Sequence, residues 1–170
     1  MPRAVTVKPF GNWAGARNMT STLDKSIKRS IRAAEEKIAK KLIKIVKGHI
    51  MNQDLPWEKL TARTVANKKG NSLIYLDKRI YINSISFWQE GYSVNIGIKK
   101  GIIHPHSKKK VEVWKIASWM EYGTSKMKER PIWGPSVREM GGRGKGMNSI
   151  VKETVERRLA KEGWRVDLPY

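Results

Sequence analysis

The chain has 170 residues, of which 39% are hydrophobic, and 35 Lys and Arg against 15 Asp and Glu give a formal net charge of +20. This length suits one hydrophobic core with short extensions, and the hydrophobic content excludes wholesale disorder. The absence of cysteine excludes disulfides and thiolate metal sites. No stretch approaches the roughly 20 apolar residues of a membrane span, and the N-terminus lacks the apolar run of a signal peptide, so we expect a cytosolic, soluble protein.

The excess of positive charge predicts a negatively charged partner, because so many like charges repel one another unless an anionic surface lies nearby. Nucleic acid is the first candidate, since phosphate neutralisation releases counterions and requires no particular sequence. An acidic protein ring is the second candidate.

Residues 1–19 contain two prolines and two glycines, which predicts an extended N-terminal arm rather than a helix. A long amphipathic helix is predicted next, capped by Thr20 or Ser21. Its apolar stripe is Leu23, Ile27, Ile31, Ala34, Ile38, Leu42 and Ile45. Positions 24–47 also carry nine Lys and Arg and three acids. These charges indicate either a solvated face or a face toward phosphate or an acidic partner, for which the candidates are Lys37, Lys40 and Lys44. A membrane-surface helix ranks below both, because the stripe lacks aromatic residues.

The middle of the chain predicts a short helix or turn that ends at Gly70, followed by a β-hairpin. Partial alternation predicts one strand over about 80–88. Alternation of Tyr92, Val94, Ile96 and Ile98 with polar or small residues predicts the second, half-buried strand.

Residues 99–110 contain five lysines and no acid, and Gly101 and Pro105 interrupt regular structure. We predict a basic, hairpin-type loop that either projects into a channel or is merely solvated. Its candidate contacts to DNA or to an acidic partner are Lys99, Lys100, Lys108, Lys109 and Lys110. His104 and His106 have no third ligand nearby in sequence, so we predict no metal site.

Two further helices are predicted: a short one that ends at Gly123, and a final amphipathic one over 147–163 that Gly163 stops. Between them, Pro131 and Pro135 stiffen one segment and the glycines of 141–146 form a link. The prediction is therefore an α+β fold: a long N-terminal amphipathic helix on a small, mostly antiparallel sheet, with short helices and a C-terminal helix. It divides into an arm (1–19), one domain (20–163) and a tail (164–170), which can pair as an added strand.

Catalysis normally needs clustered carboxylates, a histidine beside a nucleophile, or spaced metal ligands, and the sequence shows none of these. The acidic pairs, such as Asp54 with Glu58 and Glu153 with Glu156, stand beside basic residues and are explained by salt bridges. We therefore predict a protein that is not an enzyme and that uses no cofactor.

Several short motifs occur in a fixed order along the chain. A turn with Trp57, Leu60 and Thr64 comes first, followed by the hairpin. An A-x-x-x-E-Y-G-T stretch and an R-P-x-x-x-P segment come next, carried by Ala117, Glu121, Tyr122, Gly123, Thr124, Arg130, Pro131 and Pro135. Over about residues 20–160 this order resembles the tail-completion or neck family of long-tailed bacteriophages, whose relatives include minor tail and virion-morphogenesis proteins. Lys78 and Arg79 stand where that family usually has Thr-Gly.

The resemblance implies a non-catalytic subunit of a ring, probably hexameric, between the head connector or adaptor and the tail terminator or tail tube. Double-stranded DNA would pass through its lumen, and the subunit would be part of the virion after synthesis in the host cytoplasm. It also implies that the residues from Glu121 to Pro135 named above form a subunit interface, although they equally suit the core of one subunit. The alternative function is that of a stand-alone, basic nucleic-acid-binding protein.

Overall fold

A single helix of 40 residues, α1 (Trp13–Asn52), organises the structure. The computed structural model describes residues 12–76, 78–91, 93–105, 109–141 and 146–165. The elements after α1 are α2 (Ala62–Asn67), α3 (Ile80–Ser84), β1 (Ile85–Glu90), β2 (Ser93–Ile98), α4 (Val113–Tyr122), α5 (Trp133–Glu139) and α6 (Met147–Lys161). This arrangement confirms the predicted α+β class, with one long N-terminal helix, a two-stranded antiparallel sheet and several short helices.

Helix α1 begins earlier than its sequence indicated. The side chain of Asn12 accepts a hydrogen bond of 2.9 Å from the amide of Gly15 and caps the helix there. The hydroxyl of Thr20 instead bonds back to the carbonyls of Ala16 and Arg17, so Thr20 is inside the helix and not its cap. The prediction of an extended arm is therefore wrong for residues 13–19, and residues 1–11 of the predicted arm lie outside the described residues.

The first half of α1 packs against α6, and small residues make this contact close. Ser26, Ser30 and Ala34 are buried, whereas Ile31 of the predicted stripe is 40% exposed. Ser26 donates a hydrogen bond to Glu162, and the Lys37 ammonium lies 3.2 Å from the Thr154 hydroxyl, so the two helices run antiparallel. Ala34 of the predicted stripe is buried as expected, but Ile31 is not, because the small side chains of Ser26 and Ser30 allow a closer approach to α6 than isoleucine would.

The predicted first strand is half helical. Residues 80–84 form α3, in which the neighbours Tyr81 and Ile82 are both buried, as a helix permits and an alternating strand does not. The Ser84 hydroxyl donates to the carbonyl of Ile80 at 2.7 Å and supports this turn. The hairpin itself is confirmed: β1 pairs with β2 from Ile85 opposite Ile98 to Glu90 opposite Ser93, while Tyr92 lies outside the described residues.

The core lies where the second half of α1 meets the hairpin and the short helices. Its buried members are Leu42, Val46, Ile50, Ile74, Tyr75, Leu76, Tyr81, Ile82, Ile85, Val113, Ile132 and Met140. Gln53 ends α1 in the left-handed region, and its side chain bonds both the amide (2.8 Å) and the carbonyl (2.9 Å) of Ile74. The C-terminal end of α1 is therefore fixed to this core.

The lysine-rich segment is a hairpin-type loop, as predicted. Ile103 pairs with Glu112, the amide of His104 donates to the carbonyl of Val111 at 2.9 Å, and the amide of Val113 donates to Ile102 at 2.8 Å. Residues 106–108, including Lys108 and His106, lie outside the described residues.

Within the described ranges, none of the helices combines the length and the apolar content that a bilayer span requires.

The helix ends marked by glycine agree with the prediction. The amide of Gly70 bonds to the carbonyl of Val65 at 2.9 Å, and that of Gly163 bonds to Ala160 at 3.1 Å, each after a short helix or helix end. Residues 142–145 of the predicted link and 166–170 of the predicted tail strand lie outside the described residues.

Candidate assembly corner and basic surfaces

The segment from Glu121 to Thr124, which we call the corner, joins α4 to the chain leading into α5. The Glu121 carboxylate accepts hydrogen bonds from the backbone amides of Ile132 (2.9 Å) and Trp133 (3.2 Å). These amides open α5 and have no partner inside that helix, so Glu121 acts as its cap. The side chain of Glu121, predicted at a subunit interface, thus bonds within its own chain.

Gly123 and Thr124 close the corner tightly. Gly123 has φ +73°, and a Cβ atom there would lie 3.0 Å from both the amide nitrogen of Glu129 and the carbonyl oxygen of Met127. Thr124 and Met127 exchange two backbone hydrogen bonds of 2.8 and 3.2 Å. Glycine is strongly favoured at position 123, because its positive φ disfavours other residues and a Cβ would press against backbone atoms.

Arg130 and Pro131 tie the corner to the earlier Trp57 turn. Arg130 is buried, and its Nε donates to the carbonyl of Glu58 at 3.1 Å. The indole of Trp57 donates to the carbonyl of Pro131 at 2.9 Å. Two motifs that are more than 70 residues apart in sequence therefore contact each other directly. Pro135 lies in the first turn of α5, where its missing amide removes no hydrogen bond.

Two buried tyrosines support this corner from the core. Burial raises the pKa of Tyr75 far above its ordinary value, and the neighbouring Tyr81 and Glu121 raise it further, while Arg130 opposes them. Burial also raises the pKa of Tyr81, again with a contribution from Glu121. Both hydroxyls therefore remain protonated and neutral under ordinary conditions.

The corner also presents aromatic surface to solvent. Tyr122 is 79% exposed, and Trp119, three residues earlier and so on the same side of α4, is 45% exposed. Of the seven predicted interface residues, Tyr122 and Thr124 have exposed side chains, whereas Glu121, Arg130 and Pro131 bond within the same chain. The sequence prediction did not pair Trp119 with Tyr122, although their spacing of three residues in a predicted helix indicated that they lie on the same side.

The lysines predicted to meet an anionic partner do not form one surface. On α1, Lys40 lies 6.0 Å from the ring centre of Phe87 and 3.7 Å from the Glu36 carboxylate, while Lys37 bonds to α6. On the loop side, Lys99 lies 5.6 Å from the ring centre of Trp88. Since Phe87 and Trp88 are successive residues of β1, they point to opposite faces of the hairpin. The predicted set therefore divides into two patches.

We call the second patch the lysine–indole cluster; it consists of Trp88, Lys99, Lys100, Trp114 and Lys115. Lys100 and Lys115 each lie 5.7 Å from the Trp114 ring centre, within cation–π range. An open cavity of about 610 Å³ lies among Trp88, Trp114, Lys99 and Lys100. Exposed ammonium groups above apolar ring faces suit contact with phosphate. Lys99 and Lys100 were predicted from the sequence, whereas Lys115 and the two indole partners were not.

Glu112 pairs with one of the three lysines of this cluster. Its carboxylate accepts the amide of Gly101 at 2.6 Å and lies 3.6 Å from the Lys115 ammonium. The Gly101 hydrogen bond is the main cause that lowers the pKa of Glu112. Lys109 and Lys110 are exposed beyond this point, as is Lys44 on α1.

Glu58, Glu153 and Glu156 form ion pairs with Lys or Arg, as predicted, although Asp54 and Glu58 lie after α1 and not on a helix. Glu58 pairs with Lys128 at 3.0 Å, and Glu156 with Lys152 at 3.9 Å. Asp54 contacts His49 at 2.7 Å. In the part of the chain that the structure describes, no group of three or more His, Asp or Glu side chains is arranged to hold a metal ion.

Comparisons with protein-family models, with curated proteins and with solved structures gave no match to this chain. The geometry of the corner and of the two basic patches is therefore the basis for a functional proposal.

Proposed function

We propose that this protein is a structural subunit of the neck or tail-completion ring of a long-tailed bacteriophage. In this role it joins the head connector to the tail terminator or tail tube around the path of the DNA. The subunit works by assembly and not by catalysis, and it is carried in the virion.

The observation that carries this proposal is the rigid corner around Tyr122. Hydrogen bonds from Glu121 and the glycine-dependent turn at Gly123 fix the backbone on both sides of an aromatic side chain that is 79% exposed. A large exposed aromatic residue on a fixed backbone is typical of a protein contact surface, because little backbone entropy is lost when a partner covers it. The motif that resembles the phage family, Glu121 to Thr124, thus holds the backbone of an exposed contact residue, Tyr122, in place.

The charge distribution fits a subunit that meets two different anionic neighbours. The lysine–indole cluster and the α1 lysines face away from each other across the hairpin, so one patch can face DNA while the other faces an acidic neighbouring protein. Contacts to phosphate do not depend on the DNA sequence. This independence is required of a ring through which DNA of any sequence passes.

Mass photometry and negative-stain electron microscopy of the purified chain test the assembly. We expect rings with a central opening, and Tyr122→Ser is expected to lower the fraction of assembled protein. Met51→Ser is the matched control, since Met51 is also a large exposed hydrophobic residue, 50% exposed, but lies outside the corner. Mass spectrometry of purified virions should detect the chain in a small fixed copy number, and its absence from virions would contradict the proposal.

The second candidate, a stand-alone nucleic-acid-binding protein, is favoured by the lysine–indole cluster alone. It predicts that a monomer binds DNA tightly, with an affinity that falls steeply as salt rises. A chain that assembles without DNA, and whose monomer shows a shallow salt dependence, would exclude this second function.

A further inference from the structure

An apolar groove opens between α2 and α4, next to the buried tyrosines. Its volume is about 300 Å³, and its walls include Leu60, Thr64, Tyr75, Tyr81, Trp119 and Met127. Trp119, which is 45% exposed, belongs to the wall. An apolar concave surface of this kind is typical of a binding site, because its contact with water is unfavourable and a bound apolar group removes that contact.

The groove lies at the far end of α1 from the N-terminus. Ile74, which also lines it, is bonded to Gln53 at the C-terminal end of that helix. A helix of 40 residues is about 60 Å long, so Trp13 lies about that distance away along the axis. The Asn12 cap ends the helix on its N-terminal side.

Residues 1–11 of the same chain cannot cover this distance. Eleven residues span at most about 37 Å when fully extended, which leaves about 20 Å uncovered. This shortfall is far larger than the dimensions of a cavity of 300 Å³. If these residues bind in such a groove, the groove must belong to another copy.

We propose that residues 4–10 of one copy, Ala-Val-Thr-Val-Lys-Pro-Phe, occupy the apolar groove of a second copy. The segment has the required chemistry: six of its seven residues carry no charge, and Val5, Val7 and Phe10 supply apolar side chains. The single proline, Pro9, and the β-branched residues of this segment also disfavour a helix and so favour an extended segment that can lie along a groove.

This contact is head-to-tail, so each copy gives its segment to one neighbour and receives a segment from another. Contacts of this type close into a ring when the rotation between copies permits it. The inference rests on the self-assembly assumed in the proposed function, and it adds which surfaces meet.

The chain contains no cysteine, so single introduced cysteines report this contact without background. Val7→Cys and Thr64→Cys variants are purified separately, mixed and oxidised. We expect disulfide-linked dimers that contain one chain of each variant. Ala66→Cys is the matched control for Thr64→Cys: it is exposed on the same short helix, two residues along and so on nearly the opposite side, and should cross-link far less.

A chain carrying both Val7→Cys and Thr64→Cys should form covalent multimers. A cross-linked monomer, or cross-linking equal to that of the Ala66→Cys control, would overturn the proposal. Mass photometry of the unmodified chain separates the two ideas. Oligomers without the Val7 to Thr64 cross-link refute the groove contact and leave the ring intact, whereas a monomer under all conditions refutes both.

A second comparison uses two neighbouring substitutions of equal charge. Val7→Asp should raise the protein concentration needed for assembly about tenfold or more, since it removes an apolar side chain from the groove. Thr6→Asp adds the same charge to the same segment and should change that concentration less than about threefold. Equal effects of the two variants would mean that charge, and not apolar contact, governs assembly, and would contradict the proposal.

Discussion

The hydroxyl of Tyr75 donates a hydrogen bond to the backbone carbonyl of Arg130, 55 residues later in the chain, in a buried part of the core. Tyr75 has φ +63°, an unusual value for an aromatic residue, so packing and this bond hold the backbone there. We expect Tyr75→Phe to lower the free energy of unfolding by about 1 to 2 kcal/mol, because it leaves a buried carbonyl without this donor. Urea unfolding measures the change. Tyr122→Phe, on a residue that is 79% exposed, should have almost no effect.

The same buried tyrosines predict loss of stability in alkaline solution. Burial raises the pKa of Tyr75 and Tyr81 in the folded chain above the unfolded value of about 10. Their contribution is therefore fully present below pH 10 or so, and it is lost as pH rises from there toward the folded pKa values. Urea unfolding at a series of pH values should show this decline. The double variant Tyr75→Phe/Tyr81→Phe should decline less, and an equal decline would refute the assignment to these tyrosines.

The cap that Glu121 provides for α5 predicts a stability effect without an effect on the exposed face of the corner. Glu121→Ala should lower the free energy of unfolding by about 1 to 2 kcal/mol, since two backbone amides lose their acceptor. Chemical denaturation provides the measurement. Glu129→Ala, exposed in the same region, should change stability by no more than about 0.5 kcal/mol. A comparable loss in both variants would argue against the cap.

Two glycines predict opposite signs for the same substitution. Gly123→Ala should destabilise the chain by at least about 1 to 3 kcal/mol, because its φ of +73° and the atoms 3.0 Å from a new Cβ both disfavour alanine. Gly48→Ala should stabilise it by about 0.5 to 1 kcal/mol, since this glycine is inside α1 and, apart from the backbone of its own helix turn, no atom lies within 4 Å of the new Cβ. Thermal unfolding of both variants would reveal either sign directly.

The division of the lysines into two patches predicts unequal effects on DNA binding. Lys37 already donates a hydrogen bond to Thr154 and Lys40 forms an ion pair with Glu36, whereas Lys99 and Lys100 lie over indole rings on the loop side. We therefore expect Lys99→Gln/Lys100→Gln to reduce the slope of log affinity against log salt by about 1 to 2. The matched variant Lys37→Gln/Lys40→Gln should change it less. Fluorescence anisotropy with duplex DNA over a salt series measures both slopes, and the reverse order would assign DNA to the α1 patch.

Most of the fold was predictable, because local patterns determine it. The glycine stops at Gly70 and Gly163 and the alternation in β2 act over a few residues and do not depend on the rest of the chain. The failures have tertiary causes. Ile31 is left exposed because α6 packs on serines, and residues 80–84 are helical because the core receives two adjacent side chains there.

The candidate site was predictable in composition but not in arrangement. The sequence indicated that Glu121 and its neighbours belong together, yet it could not indicate that the carboxylate points back to α5. On the basis of charge alone, the sequence likewise placed the lysines of α1 and those of the loop in one candidate set. Their separation arises because Lys40 contacts Phe87 and Lys99 contacts Trp88 on opposite faces of β1, and these contacts depend on how α1 packs against the hairpin.

The length of α1 also sets a geometric rule for any assembly that uses both of its ends. A helix behaves as a stiff rod, so one residue inserted near Thr22 would move the N-terminal end by about 1.5 Å and rotate it by about 100° relative to the core. Insertion of seven residues would lengthen the rod by about 10 Å and nearly restore its facing. Spacing and orientation between neighbouring copies are therefore linked through the residue count of this helix.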